Sequence, residues 1–154
     1  MKYIGVDLHQ KFSQIFSLDK ETGETIEKRV PNEFDAIGKF FSQFDSDCKV
    51  TVEATRNWYW FVDLLQFMNI DVTLSNPVQT KAIAYARVKN DKVDAKMLSR
   101  LLENDLIPEA WIPSPEERQI REMLRMRLRL VKIRTMTKNV VRSSLAKLNV
   151  IKRC

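Results

Sequence analysis

The sequence predicts an α/β fold: a mixed five-stranded sheet with helices on both faces, followed by a long basic helix. Three observations carry this prediction. Strand-like runs open the chain around a glycine-containing turn, helical and strand-like stretches alternate after them, and the chain ends in a stretch without Gly or Pro that concentrates positive charge.

Residues 1–8 and 12–18 are apolar and β-branched enough for strands, and Lys20-Glu21-Thr22-Gly23 turns the second into a third at 24–30, with Gly23 free to take positive φ. Asn32 is positioned to cap a helix in which Phe34, Ile37, Phe41 and Phe44 recur at helical spacing, and a short strand follows at 48–53. Trp58, Phe61, Leu65 and Met68 mark a helix over 57–69, residues 70–74 a strand, Asn76-Pro77 the start of a helix to about 85, and 91–105 a further helix. Three antiparallel strands followed by α-β-α-β-α is the layout of the ribonuclease H-like (RuvC-like) fold, in which the first strand is central and later strands join it in parallel through helical crossovers. Pro108, Pro113 and Pro115 around Trp111 place a linker at 106–115, separating a domain at 1–113 from a basic helical extension at 116–154.

Composition narrows the function. Three glycines, five prolines and 44% hydrophobic residues over 154 positions describe a packed chain with its own core, neither disordered nor repetitive. No apolar run approaches the roughly 18 residues that a membrane span needs. With only Cys48 and Cys154, far apart, the expectation is a reduced, cytoplasmic protein. Residues 114–154 hold 12 of the 26 Lys/Arg and 3 of the 20 Asp/Glu, net +9, which leaves −3 on residues 1–113. A slightly acidic globule joined to a basic segment points to chemistry in the first part and polyanion contact in the second.

The chemistry is carried by acids. In Tyr3-Ile4-Gly5-Val6-Asp7-Leu8, alternation puts Asp7 on the face of Tyr3 and Gly5, and in Val50-Thr51-Val52-Glu53 it puts Glu53 on the face of Thr51. Neighbouring strands then hold two carboxylates side by side, which repel unless a cation or proton lies between them. Asp91 and Asp94 stand three apart at the start of a helix, on the side of Leu98, Leu101 and Leu102, with Lys92, Lys96, Ser99, Arg100 and Glu103 opposite. Asp-x-x-Asp at a helix start also serves for capping and for complementing the dipole. Four carboxylates in fold-appropriate places suit two-metal phosphodiester chemistry with Mg²⁺, or Mn²⁺ in its place, so Asp7, Glu53, Asp91 and Asp94 are the expected metal ligands and catalytic residues.

Ile4-Gly5-Val6-Asp7, Val52-Glu53-Ala54-Thr55, Asn76-Pro77 and Lys89-Asn90-Asp91-Lys92-Val93-Asp94-Ala95 resemble, in order and spacing, the DEDD transposases of insertion sequences, a family that includes the pilin-gene invertases. The resemblance covers nearly the whole chain. It implies a RuvC-like domain that cleaves and exchanges DNA strands with Mg²⁺, its tetrad falling on Asp7, Glu53, Asp91 and Asp94. It further implies a structured guide RNA as partner in some members, and a C-terminal transposase domain with a nucleophilic serine beyond the helical region. On that expectation the chain is a fragment. Arg56 stands where many members have Gly, and Asn90 where Thr is frequent.

Other residues carry two readings each. His9 is either a polar turn residue or a contact to metal or phosphate. Of Trp58-Tyr59-Trp60-Phe61, the stripe residues belong to the core, leaving Tyr59 or Trp60 for base stacking. On the last helix Ile120, Leu124, Val131, Val141, Leu145 and Leu148 form a seam for homo-oligomerisation, interrupted by Arg127, Arg134 and Lys138. Arg125, Arg129, Lys132 and Arg142 are the expected nucleic-acid contacts, the alternative being a solvated basic coiled coil. Three rival functions share these features: a stand-alone junction resolvase, a sugar-kinase-like or actin-like ATPase, and a dimerising nucleic-acid-binding protein with vestigial acids. The ATPase lacks glycine-rich phosphate loops in a chain with three glycines.

Overall fold

Strands β1 (Lys2–Leu8), β2 (Phe12–Asp19) and β3 (Thr25–Pro31) form an antiparallel meander, and β4 (Cys48–Glu53) and β5 (Asp71–Ser75) extend it in parallel on the other side of β1. The resulting order is β3-β2-β1-β4-β5, the mixed five-stranded sheet expected for a ribonuclease H-like fold. The computed structural model describes residues 1–44, 47–83 and 91–150, with Asp91 and Lys92 described by backbone alone. Ala84, Tyr85, Lys89, Asn90 and Cys154, which entered the sequence motifs and predicted elements, lie outside the described residues.

Each turn has a local cause. Gly23 takes φ 73°, and the Asp19 carboxylate accepts the amides of Glu21 and Thr22, closing the β2–β3 hairpin. The Asn76 side chain accepts the Val78 and Gln79 amides at the start of α3 (Pro77–Ile83).

Helices cover both faces. Alternation puts Ile4 and Val6 on one side of β1, and there α1 (Phe34–Phe41) packs, with Lys2 over the Phe44 ring and Lys28 over Phe40. α2 (Trp58–Phe67) joins this layer through an edge contact between Phe41 and Phe61. On the other side lies α4 (Asp91–Glu103), with Lys96 over the Phe16 ring. Ile4, Val6, Ile15, Val50 and Val52 are fully buried between these layers.

Three sequence expectations are corrected. Asn32 does not cap α1; Glu33 holds that position without a side-chain cap bond. The Asn32 side chain instead receives the Ser13 hydroxyl and donates to the His9 carbonyl, a tertiary role that competes with capping. Phe34 is 64% exposed, because the helix turns its buried side through Ile37, Phe40 and Phe41. Ser99, read as facing solvent, is fully buried together with Ala95 and Leu98: small side chains are what a helix needs to approach a strand closely.

The chain divides into two compact units, Met1–Trp111 and Ile112–Cys154. Before the division, Glu109 forms an isolated antiparallel bridge with Ser75, so the expected linker begins by covering the edge at β5. In the second unit, α5 (Pro115–Lys147) opens with a full capping box: the Ser114 hydroxyl accepts the Glu117 amide at 3.3 Å, and the Glu117 carboxylate accepts the Ser114 amide at 2.9 Å. Pro115 occupies the first turn, where its missing N–H costs nothing.

Candidate functional site

Polar residues from all five strands fall on one cross-strand line. The antiparallel registers set Asp7 opposite Gln14 and Gln14 opposite Arg29. The parallel register sets Val6 beside Val52, so one residue further Asp7 is beside Glu53, which pairs with Ser75. Paired residues share a face. The row Arg29, Gln14, Asp7, Glu53, Ser75 therefore crosses the sheet on the side of Gly5, at the carboxyl ends of β1 and β4, where open α/β sheets place their ligands.

Helix α4 lies over this face in a defined register. The Ser99 hydroxyl donates to the Tyr3 carbonyl at 2.8 Å. At Gly5 an added Cβ would stand 2.1 Å from the Ala95 carbonyl oxygen and 2.5 Å from the Ser99 nitrogen. Two strand residues advance about 6.8 Å and four helix residues about 6 Å, so each step of two along β1 matches a step of four back along α4. Tyr3 and Gly5 meet Ser99 and Ala95, and the same progression carries the helix backbone at position 91 to the level of Asp7. Asp94 is half-buried in the same first turn. The side chain of Asp91 lies outside the described residues.

Asp7 is held in a tight surrounding. Its side chain is 18% exposed, and Oδ2 lies 3.0 Å from Nε2 of His9. The His9 ring stacks on Phe12 at 4.6 Å between centroids, and the His9 carbonyl oxygen accepts amide hydrogens from both Asn32 and Asn57 at 2.8 Å each. Two acceptor lone pairs are thus used by residues 23 and 48 positions away, which pins the β1–β2 turn beside the acid. His9 stands in the β1–β2 turn, as the first of its two readings had it, with its ring nitrogen against Asp7.

Strand register thus sets Asp7 beside Glu53, with the backbone of position 91 at the level of Asp7 and Asp94 in the same first turn of α4. Among the described residues no group of three or more His, Cys, Asp or Glu lies close enough to hold an ion. Arg125, Arg129, Lys132 and Arg142 lie on α5 in the second unit, all exposed, with Arg125 in an ion pair with Glu122. Trp58 is buried, while Tyr59 and Trp60 are half-buried, Trp60 edge-on to both Phe34 and Phe61. Sequence reasoning missed Gln14, Arg29, Ser75 and the Asn32 and Asn57 clamp, since registers and long-range side-chain bonds leave no local pattern. The close approach at Gly5 had one signal, a glycine inside an apolar strand two residues before an acid.

No helix among the described residues is long and apolar enough to cross a membrane. No curated protein matches the chain. Residues 4–150 match the model of a family of DEDD proteins of the IS110 insertion-sequence type, described as transposase.

Proposed function

Because the chain belongs to the IS110-type DEDD transposase family, we propose that its first unit is the DNA-cleaving part of a transposase, with Asp7, Glu53, Asp91 and Asp94 as the metal-binding tetrad. The observation that carries the proposal is the cross-strand row, in which Asp7 and Glu53 adjoin at the carboxyl ends of parallel strands while the start of α4 crosses above them.

These residues fit a hard divalent cation. Carboxylate oxygens are the donors that Mg²⁺ or Mn²⁺ prefers, and two adjacent acids on a partly enclosed sheet face are more stable with positive charge between them. A divalent ion bound there supplies Lewis acidity toward a phosphodiester. The protein's own part is positioning. Gly5 lets α4 close on β1, Ser99 locks the helix register, and the clamped His9 turn holds one oxygen of Asp7 from outside the cluster. Arg125, Arg129, Lys132 and Arg142 bind nucleic acid through phosphate contacts, a structured guide RNA being a further partner, and α5 mediates self-association in the cytoplasm.

The test is metal-dependent nicking of supercoiled DNA by the protein expressed from its full reading frame. Wild type should nick with Mg²⁺ or Mn²⁺, and Asp7→Asn and Glu53→Gln should each lose at least about 100-fold, a loss of about 2.7 kcal/mol in transition-state stabilisation. Equal nicking by wild type and both variants places the chemistry elsewhere, and no nicking by any of the three favours the binding protein with vestigial acids.

A further inference from the structure

A stack of planar groups runs outward from the acid site on the face that carries α4. Asp7 meets the His9 ring nitrogen, the His9 ring lies on Phe12, and the guanidinium carbon of Arg29 sits 3.5 Å from the centre of that same phenyl ring. Register puts Arg29 on this face as well: it pairs with Gln14, which pairs with Asp7, two strands and so about 10 Å away. Arg29 is exposed and makes no ion pair among the described residues. Glu27, its neighbour on the same face of β3, accepts a hydrogen bond from the Gln14 side chain.

Charge on an edge strand discourages pairing with another sheet, which accounts for the exposure of Glu27, Lys28 and Arg29. It does not account for a guanidinium laid over a ring that also supports the partner of Asp7. Stacking fixes the guanidinium plane and leaves its N–H groups directed outward around the rim, a geometry suited to phosphate. Two further exposed cations stand at this end of the sheet. Lys11 lies in the β1–β2 turn after Asp7 and Arg56 in the loop after Glu53, and the Asn57 side chain ties that loop to the turn at the His9 carbonyl.

We propose that Arg29 holds a phosphate of the DNA strand whose scissile phosphodiester lies at the carboxylate row, with Lys11 and Arg56 neutralising phosphates beyond the row. Resting on the transposase reading, the proposal names substrate contacts in the acidic unit, separate in sequence from those on α5. The row repels a polyanion, so a strand reaches it only when cations outside the row hold its other phosphates. Arg29 does this from a fixed position. At a duplex rise of about 3.4 Å per nucleotide on each strand, its separation from Asp7 is about three nucleotides, so the stack sets which phosphate reaches the acids.

Fluorescence anisotropy with a labelled DNA duplex, titrated at several salt concentrations with the full chain, tests this. Arg29→Gln should reduce the magnitude of the slope of log affinity against log salt by about 0.9, and Gln at Lys11, Arg29 and Arg56 together by about 2.7. Arg29→Lys should keep the slope yet weaken binding, since a lysine retains the charge without the planar stack. Arg29→Gln should also keep the wild-type rise in melting temperature with Mn²⁺, because Arg29 contacts DNA and not the metal site. In parallel, Gln at Arg125, Arg129, Lys132 and Arg142 reports on α5. A wild-type slope in the triple variant, with a reduced slope in the α5 variant, overturns the assignment and leaves the transposase reading standing. Loss of the Mn²⁺ response in Arg29→Gln overturns it too, since the stack then serves only to hold the acids. No DNA binding by wild type overturns both. An RNA duplex of the same sequence that binds more tightly, with the same dependence on the three cations, overturns the assignment to DNA.

Discussion

Gly5 has no room for a methyl group, and that single fact ties the fold to the site. A Cβ there meets the Ala95 carbonyl and the Ser99 amide, both main-chain atoms of α4 that cannot rotate aside. Gly5→Ala must therefore push the helix off the strand, and overpacking of this kind costs about 3 kcal/mol. In a chain of this size the melting temperature should fall by roughly 6–12 °C. A fall of under about 2 °C, where 1 kcal/mol alone is worth that much, shows that α4 does not lie as close to β1 as described. The acids follow the same logic. Asp7 and Glu53 are adjacent because strand register makes them so, whereas alternation in Gly5-Val6-Asp7 and Thr51-Val52-Glu53 told only which face each takes. Ser99 was misread as facing solvent because a hydroxyl reads as polar in any periodicity count, whereas here it donates to a main-chain carbonyl. Asn32 and Asn57 were invisible for a related reason: their partner, the His9 carbonyl, is distant in sequence.

Among the elements, α5 carries the plainest unmet physical demand. Its 33 residues present Ile120, Leu124, Val131 and Val141 to solvent, and a second heptad stripe of Met123, Met126, Leu130, Ile133 and Val140 runs beside them, also exposed. The first stripe, the one seen in the sequence, is broken by Arg127, Arg134 and Lys138; the second has only Thr137 between its apolar positions. Burying a charge in a helix interface is far costlier than burying a hydroxyl, so self-association should use the second stripe. Light scattering should give a mass above that of the monomer for wild type, reduced by Leu130→Glu with Ile133→Glu and less affected by Leu124→Glu with Val131→Glu. A wild-type monomer at high concentration, or the reverse ranking, contradicts this. The strands and helices themselves were legible because each has a strong period, Asn76-Pro77 being a start signal that acts locally. The cross-strand row was not, since register depends on turn geometry summed over the meander.

For the molecule as a whole, charge and chemistry divide along the chain. The first unit lies within the stretch of net charge −3 and holds the acids at its sheet ends, while the stretch from 114 onward carries +9. A DNA-cleaving protein has to reconcile these opposites, attracting a polyanion to a site lined with carboxylates, and a cation at those carboxylates removes the repulsion where phosphate must approach. Metal binding at the row is the central claim, and thermal melting with Mn²⁺ tests it without requiring turnover. An ion that binds only the folded state stabilises by mass action, about 2.7 kcal/mol at a concentration one hundred times the dissociation constant, or roughly 5–11 °C here. Wild type should show that rise, and Asp7→Asn and Glu53→Gln should each lose most of it. An equal rise in all three proteins, or none in wild type, contradicts the assignment of the row as a metal centre.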